Sequence, residues 1–200
     1  MSKKKNIIIL VLVFVLLIGG ASVLYTQLGK NDTPDGLLTQ GEQNKNDNES
    51  QSDSSATGGT EPQLTKAPDF TVYDASGNKV NLSDYIGKPI VLNFWASWCG
   101  PCQSEMPDFY EKYLELGDEI HFLMVNMTGG RETLSSAKAF ISEKGYSFPV
   151  FYDTDSDAAM TYSVYSLPTT YFVDAEGYLV AQATGAISAD TLQRGIDMIK

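Results

Sequence analysis

Two cysteines occur in 200 residues, three positions apart in Trp98-Cys99-Gly100-Pro101-Cys102. At this spacing the two thiols can close a disulfide across the first turn of a helix. Unpaired backbone N–H groups and the helix dipole there favour a thiolate on the first sulfur. The expected chemistry is thiol–disulfide exchange. Cys99, exposed at the helix mouth, attacks a disulfide, and Cys102, one turn further in and more shielded, resolves the mixed disulfide. Two other uses of the pair fit less well. A staple across two intervening residues removes little unfolded-state entropy. Zinc needs more ligands than two thiolates, there is no second Cys-x-x-Cys, and the only histidine, His121, begins a predicted strand and reads as an ordinary structural or surface residue. No metal and no cofactor is expected.

The pair has to be carried between a strand and a helix. Ile90 to Trp95 is an apolar run broken only by Asn93, of a length that suits a strand buried on both faces. Cys99 to about Leu116 reads as a helix with Pro107 inside it, where a kink is expected. Ile120 to Met127 is a second buried strand, ended by Thr128-Gly129-Gly130. Glu132 to Lys144, closed by Gly145, has Leu134, Ala137, Phe140 and Ile141 on one side of a helix. A short strand over Phe148 to Tyr152 and a short helix over Asp155 to Tyr165 come next. Thr170 to Asp174 and Tyr178 to Ala183 form a hairpin, and Ser188 to Ile199 a closing helix. Ahead of all these, Phe70 to Tyr73 and Lys79 to Leu82 form an N-terminal hairpin, followed by a short helical turn capped by Ser83-Asp84. The order implies an α/β fold: a mixed central sheet covered by helices on both faces.

Residues 66–200 carry nine Lys and Arg against eighteen Asp and Glu, about −9 of the chain's formal −11. With no basic stripe, nucleic acid is not an expected partner. Lys3 to Lys5 precede Ile7 to Ile18, which contains no polar side chain, and the apolar stretch continues to about Tyr25. Roughly 19 residues at 1.5 Å rise match the hydrocarbon thickness of a bilayer, and the leading lysines place the C-terminal domain outside the cytoplasm. A charged start and an apolar core suit both an uncleaved single-pass anchor and a cleavable signal peptide that releases a secreted domain. Val23 and Leu24 carry the apolar run past Gly19 and Ala21, which favours the anchor. From Thr26 to Thr65 the composition is polar and without period, as in a disordered linker. The expected layout is an anchor over 1–25, a linker over 26–65 and one domain over 66–200.

Several separated segments resemble a known family: APDF at 67–70, VNLSDYIGKPIVLNFWASWCGPC at 80–102, Glu-x-Pro at 105–107 and SLPTTYFVDAEG at 166–177. They are similar to the membrane-anchored TlpA/ResA-like thiol-disulfide oxidoreductases of the thioredoxin superfamily. The resemblance implies a thioredoxin fold over residues 66–200, attack by Cys99 and resolution by Cys102. It also implies a glutamate that assists proton transfer, here Glu105. Thioredoxin proper keeps a buried aspartate where this chain has Asn93, which cannot titrate, so the general-base duty is expected to pass to Glu105. The family's proline facing the disulfide through a cis bond corresponds to Pro168, beside which Leu167 would pair with an extended substrate segment. Trp98, Gly100 and Pro101 complete the expected substrate-binding set, with Trp95 as core or near-site packing.

The Gly-Pro pair between the cysteines matches reducing members of the superfamily. The resemblance therefore implies a reductase of exported protein disulfides, recharged by a CcdA/DsbD-like membrane electron donor. Its targets would lie in cytochrome c maturation or in repair of envelope proteins. A disulfide-forming oxidase and an anchored binding or metal-carrier module are the alternatives. The APDF opening also resembles peroxiredoxins, but their Pro-x-x-x-Thr-x-x-Cys pattern fails at Leu92 and Ala96.

Overall fold

Residues 36–39 and 64–200 are described in this computed structural model. In chain order they give β1 (Leu37–Thr39), β2 (Thr65–Lys66), β3 (Thr71–Tyr73), β4 (Lys79–Asn81), a 3-10 turn (Leu82–Tyr85), β5 (Ile90–Trp95), α1 (Gly100–Leu116) and β6 (His121–Asn126). Then come α2 (Leu134–Lys144), β7 (Val150–Tyr152), α3 (Asp157–Thr161), β8 (Thr169–Val173), β9 (Tyr178–Thr184) and α4 (Ala189–Ile199). The strands form one mixed sheet in the order β1-β9-β8-β5-β6-β7-β3-β4, with β2 also on β9. β5, β6 and β7 are parallel, as their helical crossovers require, whereas β8 is antiparallel to β5 and hairpins into β9.

Every residue of β5 is buried, as its apolar run predicts. The period of two divides them between two cores. Val91 and Trp95 face α1, α2 and α4, in a cluster with Met106, Phe109, Ala137, Leu192 and Ile196. Ile90, Leu92 and Phe94 face the other way, toward Phe70, Val72, Leu82, Ala158 and Tyr162. Asn93 therefore points to the α1 side. On α1 the buried positions are Cys102, Glu105, Met106 and Phe109, one stripe at helical spacing that meets this face.

The observed elements match the expected ones apart from shifts at their ends. The 3-10 turn is held by the Asp84 carboxylate, which accepts from the Asn81 N–H at 2.8 Å, so the chain enters it two residues before Ser83. Gly145 closes α2 at φ 70°, a backbone angle that favours glycine. The linker needs correction in two places. Leu37–Thr39 and Thr65–Lys66, both at least partly within the expected polar linker, pair antiparallel with consecutive parts of β9, through Leu37 to Ala183 and Thr65 to Leu179. An open edge on β9 offers unpaired backbone groups to any extended segment, and Leu37 adds apolar contact with the core, so pairing wins over polar composition locally. The rest of the linker and the anchor expected over 1–25 lie outside the described residues. Among the described residues no helix is long and apolar enough to cross a membrane.

α4 lies against the sheet through Gly195. A Cβ there would stand 2.2 Å from the Phe172 ring, so only glycine lets the helix approach this closely. Gly195→Ala is expected to cost about 1–3 kcal/mol by overpacking, even though alanine is the better helix former. Urea unfolding of both proteins measures it, and equal midpoints would show that α4 shifts outward freely.

Candidate active site

Four connections meet at the end of the sheet where the parallel strands finish. They are 96–99 after β5, 127–133 after β6, 166–168 before β8 and 185–188 after β9. Register places them together: Phe94 lies opposite Thr169, Thr169 opposite Thr184, and Trp95 opposite Asn126. In open α/β sheets this end is where sites form.

Cys99 and Cys102 are joined in a disulfide, with Cα atoms 5.3 Å apart. Cys99 is the N-cap of α1, and its Sγ accepts the Cys102 N–H at 3.2 Å, the place that a serine or aspartate oxygen usually takes. Gly100 and Pro101 form the exposed first positions of α1, where proline loses no hydrogen bond. One expectation fails here. Cys99 is only 4 % exposed, not open at the helix mouth: with the bridge closed it belongs to the core cluster that also holds Ile187 and is flanked by Leu167. The order of shielding holds, with Cys102 at 0 %, while neighbouring Trp98 is 47 % exposed. Trp95 is fully buried and packs on Phe140, 5.7 Å between ring centroids.

Glu105 is buried behind the disulfide, at 2 % exposure. Its Oε1 accepts from Asn93 Nδ2 at 2.9 Å and its Oε2 from the Ile187 N–H at 3.0 Å. Asn93 Nδ2 also donates to Thr170 Oγ1 at 3.0 Å. Burial pushes the Glu105 carboxyl up from the usual 4.5 to about 7. The Ile187 and Asn93 hydrogen bonds pull it back, and the negative charge of Asp108 adds to the rise. An acid of this strength, one helical turn beyond Cys102, can hold or give a proton near neutrality.

The Leu167–Pro168 peptide bond is cis. The Pro168 carbonyl accepts from the Gly185 N–H at 2.8 Å, tying this loop to the end of β9. Leu167 is half-buried, in contact with both cores. His121 lies at the opposite end of the sheet, edge-on to Tyr85 at 5.1 Å, and burial pushes its imidazole below the usual value. Among the described residues no cluster of three or more His, Cys, Asp or Glu is placed to hold a metal ion.

Residue type alone does not reveal Ile187 or Thr170. The first contributes a backbone N–H and the second a hydroxyl facing Asn93 from the neighbouring strand. Arg131 and Glu132 also border the redox turn: the Arg131 guanidinium stands 4.6 Å from the Trp98 ring centre, and buried Glu132 binds Ser97. A Glu in the first turn of an expected helix gave no sign of this.

With this geometry in place, comparison with known proteins is decisive. The AhpC/TSA family matches residues 64–182. The ResA thiol-disulfide oxidoreductase of Bacillus thuringiensis is 39 % identical over 131 residues, 64 % of this chain and 73 % of that protein. The chain belongs to the ResA-like thiol-disulfide oxidoreductases of the AhpC/TSA family. Among solved structures, a DsbE-type thiol:disulfide interchange protein from Chlorobium tepidum superposes with a TM-score of 0.60 at 30 % identity, covering 66 % of this chain and 94 % of that one. An exposed lipoprotein thioredoxin of Streptococcus pneumoniae gives a TM-score of 0.55 at 37 % identity, covering 65 % and 99 %. The fold is thioredoxin-like and the chain is a protein-disulfide oxidoreductase.

The raised pKa of Glu105 has a signed consequence for stability. Its folded value lies above the unfolded one, so between pH 4.5 and 7 the native state keeps a proton that the unfolded chain releases. The associated stability is full below about 4.5 and lost as pH rises through 7, up to about 3 kcal/mol. Glu105→Gln should flatten this decline when unfolding is followed by urea titration across the window. A variant curve parallel to the wild type would mean that Glu105 has ordinary acid strength in the folded protein.

Proposed function

We propose that this protein reduces disulfides in exported proteins from the outer side of a membrane, tethered by the apolar segment up to Tyr25. The observation that carries the reading is the Cys99 sulfur at the N-cap of α1 with buried Glu105 one turn behind Cys102. In the reduced protein, the N–H of Cys102 and the positive end of α1 stabilise a Cys99 thiolate. That thiolate attacks one sulfur of a substrate disulfide, and the other substrate sulfur leaves as a thiolate. The Cys102 thiol passes its proton to the Glu105 carboxylate and attacks the Cys99 sulfur. The second substrate thiolate departs, and Cys99–Cys102 closes, having delivered two electrons. With a pKa near 7, Glu105 can accept that proton at neutral pH.

The remaining residues take supporting roles. The cis Leu167–Pro168 bond lies at the start of β8, where the Leu167 backbone is the edge an extended substrate segment would pair with. Trp98, Gly100 and Pro101 offer exposed surface beside the reactive sulfur. Leu92 and Ala96, where a peroxidatic site needs Pro and Thr, are both fully buried apolar residues, which favours disulfides over peroxides as substrates. The oxidised pair would be recharged by a CcdA/DsbD-like membrane donor. The exposed lipoprotein thioredoxin among the relatives supports a location outside the cytoplasm.

Cys102→Ser is expected to accumulate mixed disulfides with envelope proteins that disappear on reduction, whereas Cys99→Ser accumulates none. Non-reducing gels followed by mass spectrometry read both outcomes and name the substrates. The reduction potential should fall near the thioredoxin value of about −270 mV. A value near the DsbA figure of about −120 mV would make the protein an oxidase instead.

A further inference from the structure

The turn that carries Cys99 is gripped from outside the Cys-x-x-Cys motif. Ala96 to Cys99 is a tight turn, closed by the Cys99 N–H donating to the Ala96 carbonyl at 3.2 Å. Ser97, in the middle of it, is held on both sides. Its N–H donates to Glu132 Oε2 at 2.8 Å and its hydroxyl to the same oxygen at 2.9 Å, while its carbonyl accepts from the Gln103 side chain. Ser136 Oγ reaches the other carboxylate oxygen, Oε1, at 3.1 Å. Glu132 is 2 % exposed, so this carboxylate is desolvated and its partners are protein donors.

The segment that presents Glu132 is itself rigidly fixed. The Gly129 N–H donates to the Glu132 carbonyl at 3.0 Å and the Glu132 N–H to the Gly129 carbonyl at 2.9 Å, a closed two-way bridge. The next residue, Thr133, caps α2 by accepting the Ser136 N–H at 3.0 Å. Adjacent to Glu132, Arg131 covers one face of the Trp98 ring at 4.6 Å. Consecutive residues of one loop thus hold consecutive residues of the redox turn.

We propose that Glu132 is a positioning residue for disulfide exchange. Its carboxylate fixes the Ala96–Cys99 turn in the form the disulfide requires and so sets the balance between disulfide and dithiol. The inference rests on disulfide exchange through Cys99 and Cys102. Two effects have the same sign. The hydrogen bonds hold the turn in the geometry that keeps the Cys99 and Cys102 Cα atoms 5.3 Å apart, favouring the closed bridge. The buried negative charge, bound to a residue two positions from Cys99, disfavours a Cys99 thiolate and hence the reduced state. Both make the pair a stronger reductant, and loss of Glu132 moves the equilibrium toward dithiol.

The test is redox equilibration of the full chain with glutathione buffers, in which two glutathione thiols reduce the bridge and one glutathione disulfide forms. Glu132→Gln, which keeps an acceptor oxygen and removes the charge, is expected to shift the equilibrium constant toward dithiol about threefold or more. Glu132→Ala should shift it about tenfold, equivalent to about 30 mV. Ser97→Ala, which removes the hydroxyl contact and keeps the N–H, should shift it in the same direction by less. It carries the test together with Glu132→Gln if Glu132→Ala does not fold. Variants that lose thermal stability while their glutathione equilibrium stays within twofold of wild type would assign Glu132 a purely structural role and overturn the proposal. The exchange reading is judged separately, by Cys102→Ser trapping in an otherwise wild-type chain. If trapping succeeds and the equilibrium does not move, only the role of Glu132 falls.

Discussion

β5 is hydrogen-bonded along both edges, to parallel β6 and to antiparallel β8, and all six of its residues are buried. A strand fixed in this way cannot slide by one residue, because a slip would send Val91 and Trp95 to the face that Ile90, Leu92 and Phe94 now fill. The redox turn begins one residue after β5 and inherits its position. The same register decides which polar group faces the disulfide. Asn93 lies between Val91 and Trp95 in the alternation, so its amide is delivered to α1 and not to the opposite core. Thr170, its partner on β8, arrives on the same face.

Glu105 depends on this constraint. Cys102, Glu105, Met106 and Phe109 are the stripe by which α1 meets the sheet, and Met106 and Phe109 are ordinary packing residues. A carboxyl in such a stripe is expensive to desolvate, and unpaired it would be excluded. Asn93 and the Ile187 N–H each satisfy one of its oxygens. They offset only part of the desolvation, so the pKa settles near 7 and not at the surface value. An aspartate at position 93 would set a second negative charge against the first, whereas the amide donates to it and stays neutral. The exchange of residue types between strand and helix keeps one titrating group at the site and moves it to the helix that also carries the cysteines.

Much of this was legible in the sequence because it depends on local pattern. The apolar run from Ile90 to Trp95, the helix after Cys99, Gly145 closing α2 and Ser-Leu-Pro leading into Thr169 and Thr170 of β8 each announce themselves within a few residues. Glu105 was reached through the family resemblance and its place one turn beyond Cys102, whereas its burial among Met106 and Phe109 is seen only in the fold. Contacts distant in sequence with no demand on residue type were not legible. Ile187 contributes a backbone N–H 82 residues from Glu105, and nothing about an isoleucine marks it as a hydrogen-bond donor to a buried acid. Pairing of Leu37–Thr39 on β9 was hidden for a related reason: three residues inside a polar stretch have no periodicity to read, and the open edge that recruits them belongs to a strand far along the chain. The low exposure of Cys99 was not legible either: its place at the end of α1 alone suggested an open sulfur, whereas in the fold it packs into the core cluster with Ile187.

That burial restricts how a recharging partner can reach the oxidised protein. Reduction begins when a donor thiolate attacks one sulfur in line with the S–S bond, and Cys102, at 0 % exposure beneath the first turn of α1, offers no line of approach. Cys99, at 4 %, offers a narrow one. The mixed disulfide must therefore form on Cys99 in both halves of the cycle, with substrate and with electron donor. Different partners then have to use the same surface, bordered by Trp98 with Arg131 on its ring and by the cis Leu167–Pro168 loop. Discrimination between them cannot come from separate entrances. In the proposed cycle it would come from how each partner's backbone pairs beside Leu167 and from the balance between disulfide and dithiol, which the buried carboxyl groups on the far side of the turn, Glu105 and Glu132, are proposed to set.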